Sequence, residues 1–232
     1  MTERFTGNFT QQEPIPEEGI AAALDVLRSG RLHRYNLVGE EAGEVAALER
    51  EFAAYTGARY ALAVTSGGYA MATALRALGV GPGDKVLTNA FTLAPVPGSI
   101  ASVGAVPVFV GVTEALTIDL EDLAAKVGEA KVLMLSHMRG HLVDMDALMA
   151  ICDAAGVTVI EDCAHTMGAA WRGIPSGRWG KIGCYSTQTY KHMNSGEGGF
   201  LITDDDEVMA RAVMLSGSYM LYARHGTVPP AE

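Results

Sequence analysis

The chain is organised around residues 184–199, which read CYSTQTYKHMNSGEGG. Lys191 stands between a hydroxyl-rich run and a glycine-rich run, and an apolar, β-type segment at 200–203 follows at once. Most lysines are solvated surface residues, and this stretch alone favours that interpretation. The alternative is a lysine held in a crowded pocket, where its amine is neutral enough to form a Schiff base.

A second stretch favours the pocket. Residues 159–169 read VIEDCAHTMGA, a buried-strand pattern that ends in the carboxylate of Asp162, with His165 three residues further on. An aspartate at the C-terminal end of a strand can face the ring nitrogen of a pyridine cofactor whose aldehyde a lysine holds. The two stretches together predict that Lys191 and Asp162 serve one site.

Both stretches resemble the aspartate-aminotransferase superfamily of fold type I and, within it, the DegT/DnrJ/EryC1/StrS sugar aminotransferases. Four further motifs carry the resemblance: 66–70 (SGGYA) resembles the family's Ser-Gly-Thr-x-Ala phosphate loop, 81–86 (GPGDKV) its Gly-Pro-Gly-Asp-Glu-Val turn, 89–92 (NAFT) the position of its stacking aromatic, and 140–146 (GHLVDMD) its Gly-x-x-x-Asp-Met-Asp. The similarity covers roughly residues 12–226. It implies pyridoxal 5′-phosphate as the cofactor.

Strand patterns alternate with helical patterns along most of the chain. Seven segments have the composition of strands: 60–65, 85–88, 106–110, 131–136, 158–161, 182–186 and 199–203. Helical spacing is found over 17–29, 41–55, 69–78, 92–103, 120–127, 144–155 and 204–216. Such alternation implies a parallel sheet covered on both faces. We therefore predict an α/β fold, a three-layer sandwich with a seven-stranded, mostly parallel sheet.

The expected domain organisation is a short arm followed by one large domain. Residues 1–16 are polar and contain Pro14 and Pro16, which predicts an extended N-terminal arm, and residues 17–232 form the predicted cofactor-binding domain. The resemblance breaks after Gly226, where family members continue into a smaller C-terminal domain that we expect to be absent from this chain. A truncated product and a second polypeptide that supplies the rest both remain open.

The resemblance gives Lys191 and Asp162 the catalytic roles. Lys191 would form the Schiff base with pyridoxal 5′-phosphate and later move a proton between substrate and cofactor. Asp162 would hold the pyridine nitrogen protonated, since a carboxylate beside a cationic ring favours the ion pair. The alternative role for Asp162 is the N-cap of a helix over 163–168, and both roles are compatible.

The remaining cofactor contacts follow from the same resemblance. A strand that leads through Ser66, Gly67 and Gly68 into a helix presents unpaired amides and the positive end of the helix dipole, which suits a phosphate. Ser186 would add its hydroxyl. The family usually has threonine where Gly68 stands, so one hydroxyl contact is lost, and Ser66 is a candidate to compensate. The dinucleotide fingerprint G-x-G-x-x-G is absent, which disfavours a Rossmann dehydrogenase.

Two ring side chains complete the predicted site. Phe91 would lie over the pyridine face, although an ordinary core position is the simpler interpretation without the motif. His165 would lie near the 3′-oxygen or the ring face. No metal is expected, because His137, Arg139 and His141 have no carboxylate or thiol at ligand spacing. We interpret these three as rim or structural residues.

Composition narrows the possible partners and location. The 232 residues carry 17 Lys and Arg against 27 Asp and Glu, a net charge of −10, with no basic run that would track a nucleic acid backbone. The three cysteines are interpreted as buried thiols in a reducing cytoplasm. The N-terminus lacks the apolar core of a signal peptide and no apolar run has the length of a membrane span, so no membrane partner is expected.

The sequence supports three functional hypotheses. The first is an aminotransferase that moves an amino group from glutamate or glutamine to a keto-sugar, often nucleotide-linked in this family, or to a cyclitol. The second is a sugar dehydratase of the same fold. Lys191 argues against it, because the dehydratases that resemble this family have histidine at that position. The third is a non-catalytic or truncated cofactor-binding subunit. In each case we expect a homodimer with the cofactor near the subunit interface.

Overall fold

The computed structural model describes residues 6–7, 14–39, 41–217 and 221–227. The chain divides into two compact units, residues 1–41 and 42–232. The first unit contains helix α1 (Glu17–Ser29), which ends at Gly30 in the left-handed conformation (φ 69°). Most of the arm predicted over 1–16, and the last five residues, lie outside the described residues, so the predicted boundary at residue 16 stays a prediction.

The second unit is built on a seven-stranded sheet with the order β1-β9-β8-β5-β4-β2-β3. Four of its neighbouring pairs are parallel, while β9 runs antiparallel to both β1 and β8. The seven-stranded, mostly parallel sheet of the prediction is confirmed. Its strands are β1 (Tyr60–Val64), β2 (Lys85–Asn89), β3 (Val106–Val110), β4 (Val132–Ser136), β5 (Thr158–Asp162), β8 (Ile182–Ser186) and β9 (Gly199–Thr203).

Helices cover both faces of this sheet, because successive side chains of a strand point to opposite faces. In β4, Val132 and Met134 pack with one helical layer, whereas Leu133 and Leu135 pack with the other. The first layer contains α3 (Gly67–Ala77), α4 (Pro95–Ser102) and α7 (Asp206–Leu215). The second contains α5 (Leu120–Lys126) and α6 (Met145–Ala155), and α2 (Glu44–Thr56) packs beside it against β1, β8 and β9. This is the predicted three-layer sandwich.

One local prediction was wrong, and one small element was not predicted. No helix follows Asp162 at 163–168: Asp162 Oδ1 accepts from the amide of Ala164 at 3.1 Å, which closes a turn. A small hairpin that the sequence analysis missed follows, formed by β6 (Ala170–Trp171) and β7 (Ile174–Pro175). Its two-residue loop, Arg172 (φ 49°) and Gly173 (φ 83°), has both residues at positive φ, as a type I′ turn requires.

The strand order brings the important loops to one edge of the sheet. Strand β1 runs in the same direction as β8, since both are antiparallel to β9. The ends of β1, β5 and β8 therefore meet at the edge where β9 begins, which is where ligands of open α/β sheets bind. Among the described residues, no helix combines the length and apolar character needed to cross a bilayer.

Candidate active site

A cavity of about 310 Å³ opens at this edge of the sheet. Seven residues proposed from the sequence border it: Ser66, Gly67, Gly68, Asp162, His165, Ser186 and Lys191. The sequence analysis had not assigned a role there to Met71, Leu93, Pro95, Val96, Met138, Ala164, Gln188 or Glu197, which also border it. The structure therefore brings together side chains that are up to 131 residues apart in the chain.

Phe91 is the one proposed residue that does not border this cavity among the described residues. The Asn89 side-chain amide donates to the carbonyl of Phe91 at 3.0 Å and turns the backbone there. Leu93, Pro95 and Val96, which follow Phe91 in the chain, line the cavity instead. A stacking role for Phe91 stays a prediction that this cavity does not reproduce.

The N-terminus of α3 forms one end of the cavity. The hydroxyl of Ser66 caps the helix by accepting from the amide of Tyr69 at 3.0 Å, and its carbonyl accepts from the amide of Ala70 at 2.9 Å. The amides of Gly67 and Gly68 belong to the first turn and have no partner within the helix. They and the helix dipole favour an anion at this end.

Gly67 and Gly68 differ in the space around them. A Cβ on Gly67 would lie 2.9 Å from Cβ of Ser186, so glycine is needed for the close approach of α3 to β8. A Cβ on Gly68 would meet nothing closer than Pro95 Cβ at 3.8 Å and Ser66 Oγ at 3.9 Å. The position where the family usually carries threonine therefore has room for a Cβ.

Asp162, the last residue of β5, is held by fixed donors. Its Oδ2 accepts from the hydroxyl of Ser136 at 3.0 Å and its Oδ1 from the amide of Ala164. The Thr92 hydroxyl donates in turn to Ser136 Oγ at 2.8 Å. Burial raises the pKa of Asp162 above its usual value, whereas these bonds and the charge of Lys191 oppose that rise. No role was predicted for Ser136, the last residue of β4, or for Thr92, which lies between β2 and α4.

Asn89 positions Ser136. The buried Asn89 side chain extends the pairing of β2 with β4 past its last backbone pair, Thr88 and Met134: Nδ2 donates to the carbonyl of Ser136 at 3.1 Å, and Oδ1 accepts from its amide at 2.9 Å. This pair of bonds aims the Ser136 hydroxyl at Asp162. The motif at 89–92 thus acts here through its asparagine.

Lys191 lies in the loop between β8 and β9, whose base is closed by backbone bonds. The amide of Thr187 donates to the carbonyl of Gly198, and that of Lys191 donates to the carbonyl of Gln188 at 2.8 Å. Nζ of Lys191 lies 2.8 Å from Nε2 of His165. Burial lowers the pKa of Lys191, Arg139 lowers it further, and Asp162 opposes both. The lysine is therefore partly buried and shifted toward its neutral, nucleophilic form.

Comparison with known proteins places this arrangement in a family. The model of the DegT/DnrJ/EryC1/StrS aminotransferase family matches residues 14–227. This chain belongs to that family. Members of the DegT/DnrJ/EryC1/StrS family are aminotransferases that depend on pyridoxal 5′-phosphate, as the motifs led us to expect.

Individual relatives agree with this assignment. Over 220 residues the chain is 37% identical to the pleiotropic regulatory protein of Geobacillus stearothermophilus, over 93% of this chain and 57% of that protein. It is 42% identical to a candidate L-glutamine:3-amino-2,3-dideoxy-scyllo-inosose aminotransferase of Micromonospora echinospora, over 71% of this chain and 40% of the relative. The solved aminotransferase from Psychrobacter cryohalolentis superposes with a TM-score of 0.81 at 33% identity, over 88% of this chain and 51% of that one. The chain spans about half the length of the curated relatives it matches.

The residues of this DegT/DnrJ/EryC1/StrS member fit pyridoxal 5′-phosphate. The first-turn amides of α3 suit its phosphate. The space between Gly67 and Ser186 is open only because residue 67 is glycine, since a Cβ there would fill it. The carboxylate of Asp162 suits a protonated ring nitrogen, and the amine of Lys191 suits the aldehyde. All of these groups border the same cavity.

A buried cluster lies directly behind the site. Glu161, the neighbour of Asp162 on β5, is fully buried, and its carboxylate lies with His137 and Cys163 so that their potential ligand atoms are within 4.8 Å of one another. The sequence analysis found no carboxylate or thiol partner for His137, and the fold supplies both. Glu161 accepts four hydrogen bonds, from His137 Nε2 at 2.9 Å and from the amides of Gly177, Trp179 and Gly180.

These four donors explain the role of Glu161. Burial alone would raise the pKa of Glu161, but the bonds from His137, Gly180 and Gly177 outweigh it and hold the pKa below its usual value. Its oxygens are saturated by protein donors, so the carboxylate anchors the 177–180 loop against β5. We interpret the cluster as structural support for the strand end that carries Asp162.

Proposed function

We propose that this chain is the cofactor-binding part of an aminotransferase that moves an amino group from glutamine or glutamate to a ketone of a sugar, often nucleotide-linked, or of a cyclitol. The observation that carries the proposal is that Lys191, Asp162 and the N-terminus of α3 border one cavity. The Micromonospora relative, named for glutamine and an inosose, supports the donor and the class of ketone.

Each residue has a defined task in this proposal. When bound, pyridoxal 5′-phosphate supplies an aldehyde for an amine and a cationic ring that draws electrons from the substrate. Gly67 and Gly68 donate their amides to the phosphate, and Ser186 adds its hydroxyl. Asp162 keeps the proton on the ring nitrogen, for which its bonds to Ser136 and Ala164 orient the carboxylate. Lys191 holds the cofactor covalently and, once released, carries a proton to and from the substrate carbon.

Two other functions remain as alternatives. A sugar dehydratase of the same fold is disfavoured, because dehydratases that resemble this family have histidine at the position of Lys191. A non-catalytic subunit would bind the cofactor without turning over an amino donor. The half-reaction with glutamate separates this alternative from the proposal, since a non-catalytic subunit would not take an amino group from the donor.

The location of the Schiff base is tested by borohydride reduction of the protein loaded with pyridoxal 5′-phosphate, followed by digestion and mass spectrometry. We expect the pyridoxyl group on Lys191. Lys85 and Lys181 are matched controls, because they pair with Glu129 at 3.2 Å and Asp205 at 2.7 Å away from the cavity. A modification of either control lysine, with Lys191 unmodified, would contradict the site assignment.

We further propose a cytoplasmic homodimer as the working unit. The exposure of Ile20, Leu24 and Leu27 along one helix, α1, supports a partner surface. The three cysteines, Cys152, Cys163 and Cys184, are buried and free, which supports a reducing compartment.

A further inference from the structure

The ring of His165 is engaged through both of its nitrogens. Nδ1 accepts a hydrogen bond from the backbone amide of Arg139 at 3.2 Å. Nε2 lies 2.8 Å from Nζ of Lys191. One contact reaches the backbone of a neighbouring loop, and the other reaches the amine that the proposed function makes reactive.

These two contacts determine where the proton of His165 resides. A backbone amide can only donate, so Nδ1 must carry a lone pair. A neutral imidazole has one ring proton, which is therefore on Nε2 and points at Lys191. An ammonium has no lone pair to accept this proton, whereas a neutral amine has one. Both ring nitrogens of His165 therefore make hydrogen bonds when His165 is neutral and Lys191 is an unprotonated amine.

The opposite proton arrangement fits the geometry poorly. If Lys191 were an ammonium that donates to Nε2, the ring proton would have to be on Nδ1, facing the amide hydrogen of Arg139. An imidazolium would direct its Nδ1 proton at the same amide hydrogen, whatever the charge of Lys191. Each arrangement places two hydrogens against one another in a partly buried site, where an unmet donor is costly.

The amide of Arg139 is held in place by an unusual backbone conformation. Arg139 lies in the left-handed region (φ 58°, ψ 19°) within the turn Met138–Gly140, and Gly140 follows at φ 85°. The turn is closed by the bond from the amide of Gly140 to the carbonyl of His137 at 3.1 Å. A left-handed conformation is unfavourable for a non-glycine residue, and such strain is concentrated at functional sites.

We propose that the backbone amide of Arg139 and the ring of His165 form a positioning pair that sets the His165 tautomer and thereby keeps the amine of Lys191 neutral and oriented before the cofactor arrives. The inference rests on the proposed function, because only a neutral amine attacks the aldehyde of pyridoxal 5′-phosphate. His165 and Arg139 are positioning residues here, and Lys191 remains the reacting group.

The surrounding charges are consistent with this pair. Burial, the largest cause, lowers the pKa of His165 to about 4, and the charges of Arg139 and His192 act in the same direction. The ring therefore stays neutral from pH 5 to 8. Asp162 favours the charged form of Lys191, while burial and Arg139 favour the neutral form. Glu197, a further charged residue, borders the same cavity.

The tautomer is measured by long-range proton–nitrogen NMR of the full chain without added cofactor. The signals of His165 are assigned by their loss in His165→Gln, among the 6 histidines of the sequence. We expect the Nε2–H tautomer from pH 8 down to pH 5.5. Arg139→Gly is the matched control, since glycine keeps the amide and adopts the same φ without strain, and its tautomer is expected to be unchanged. An Nδ1–H tautomer or an imidazolium at pH 7 would overturn the proposal.

The effect on Lys191 is measured by the pH dependence of its trace acetylation, read by mass spectrometry in the same protein. His165→Phe removes the donor while filling the space, and the apparent pKa of Lys191 is expected to rise by about one unit, the effect of one hydrogen bond. His165→Gln, whose amide can donate, is expected to restore most of the difference. An equal pH dependence in wild type and both variants would overturn the proposal even if His165→Phe is less stable.

These outcomes are separable from failure of the proposed function. A borohydride adduct on Lys191 together with an Nδ1–H tautomer leaves the function standing and removes the positioning pair. The expected tautomer without any adduct on Lys191 removes the function alone.

Discussion

Gly68→Thr tests whether the N-terminus of α3 binds the cofactor phosphate. A Cβ at residue 68 meets Pro95 Cβ at 3.8 Å and Ser66 Oγ at 3.9 Å, which are ordinary contacts, so the added Cβ requires no movement of the helix. The backbone of Gly68 is not in the left-handed region. Threonine therefore introduces a hydroxyl next to the first-turn amides without strain.

The expected gain in affinity follows from one hydrogen bond to a charged group. Such a bond contributes about 1.5 to 3 kcal/mol, and ordering the threonine side chain offsets part of it. A net gain of about 1.4 kcal/mol corresponds to tenfold tighter binding. Replacing a helical glycine also stabilises the folded chain by up to about 1 kcal/mol, and this part does not depend on the hydroxyl.

The assay is a titration of cofactor-free protein with pyridoxal 5′-phosphate, followed by absorbance. Gly68→Val is the matched control, because valine has the shape of threonine without the hydroxyl. We expect the dissociation constant to fall about tenfold in Gly68→Thr relative to Gly68→Val. Pyridoxal without phosphate should bind all variants alike. Equal affinities of the threonine and valine variants, or the same gain with pyridoxal, would refute the assignment of the phosphate to this helix end.

Gly67→Ala is expected to weaken cofactor binding and lower the melting temperature, because its Cβ would clash with β8 at 2.9 Å; affinity equal to that of Gly68→Ala would contradict this. Asp162→Asn should retain the borohydride adduct but slow the glutamate half-reaction by about a hundredfold or more, and a near wild-type rate would remove its role at the ring nitrogen. Glu161→Gln should cost about 3 kcal/mol in urea unfolding at pH 7. The pKa of Glu161 is lowered in the folded state, so the wild type keeps its higher free energy of unfolding above the unfolded pKa of about 4.3 and loses it as pH falls through the folded pKa. A stability difference between wild type and Glu161→Gln that persists in acid would contradict the anchoring role. Light scattering should give at least a dimer, and a strict monomer that retains stoichiometric cofactor would disprove the proposed assembly.

The fold could be predicted from the sequence because its signals are local. The bounds of three strands, Val106–Val110, Ile182–Ser186 and Gly199–Thr203, and of helix Glu17–Ser29 agree with those expected. Apolar runs bounded by small or polar residues, and a left-handed glycine after a helical pattern, act within a few residues of the chain. The hairpin at 170–175 carried a weaker signal, because Arg-Gly is not the Asn-Gly or Asp-Gly pair that marks a type I′ turn.

The reactive groups of the candidate site could also be named from the sequence, because Lys191 and Asp162 lie in short, ordered motifs. Their surroundings could not. His137 bonds Glu161 across 24 residues and Lys191 bonds His165 across 26, while Asn89 reaches Ser136 across 47. These contacts exist because the sheet order places the ends of separate strands side by side, and no spacing in the chain records that adjacency. The sequence therefore predicted which residues carry the chemistry, and the tertiary structure alone decided which donors lie against them.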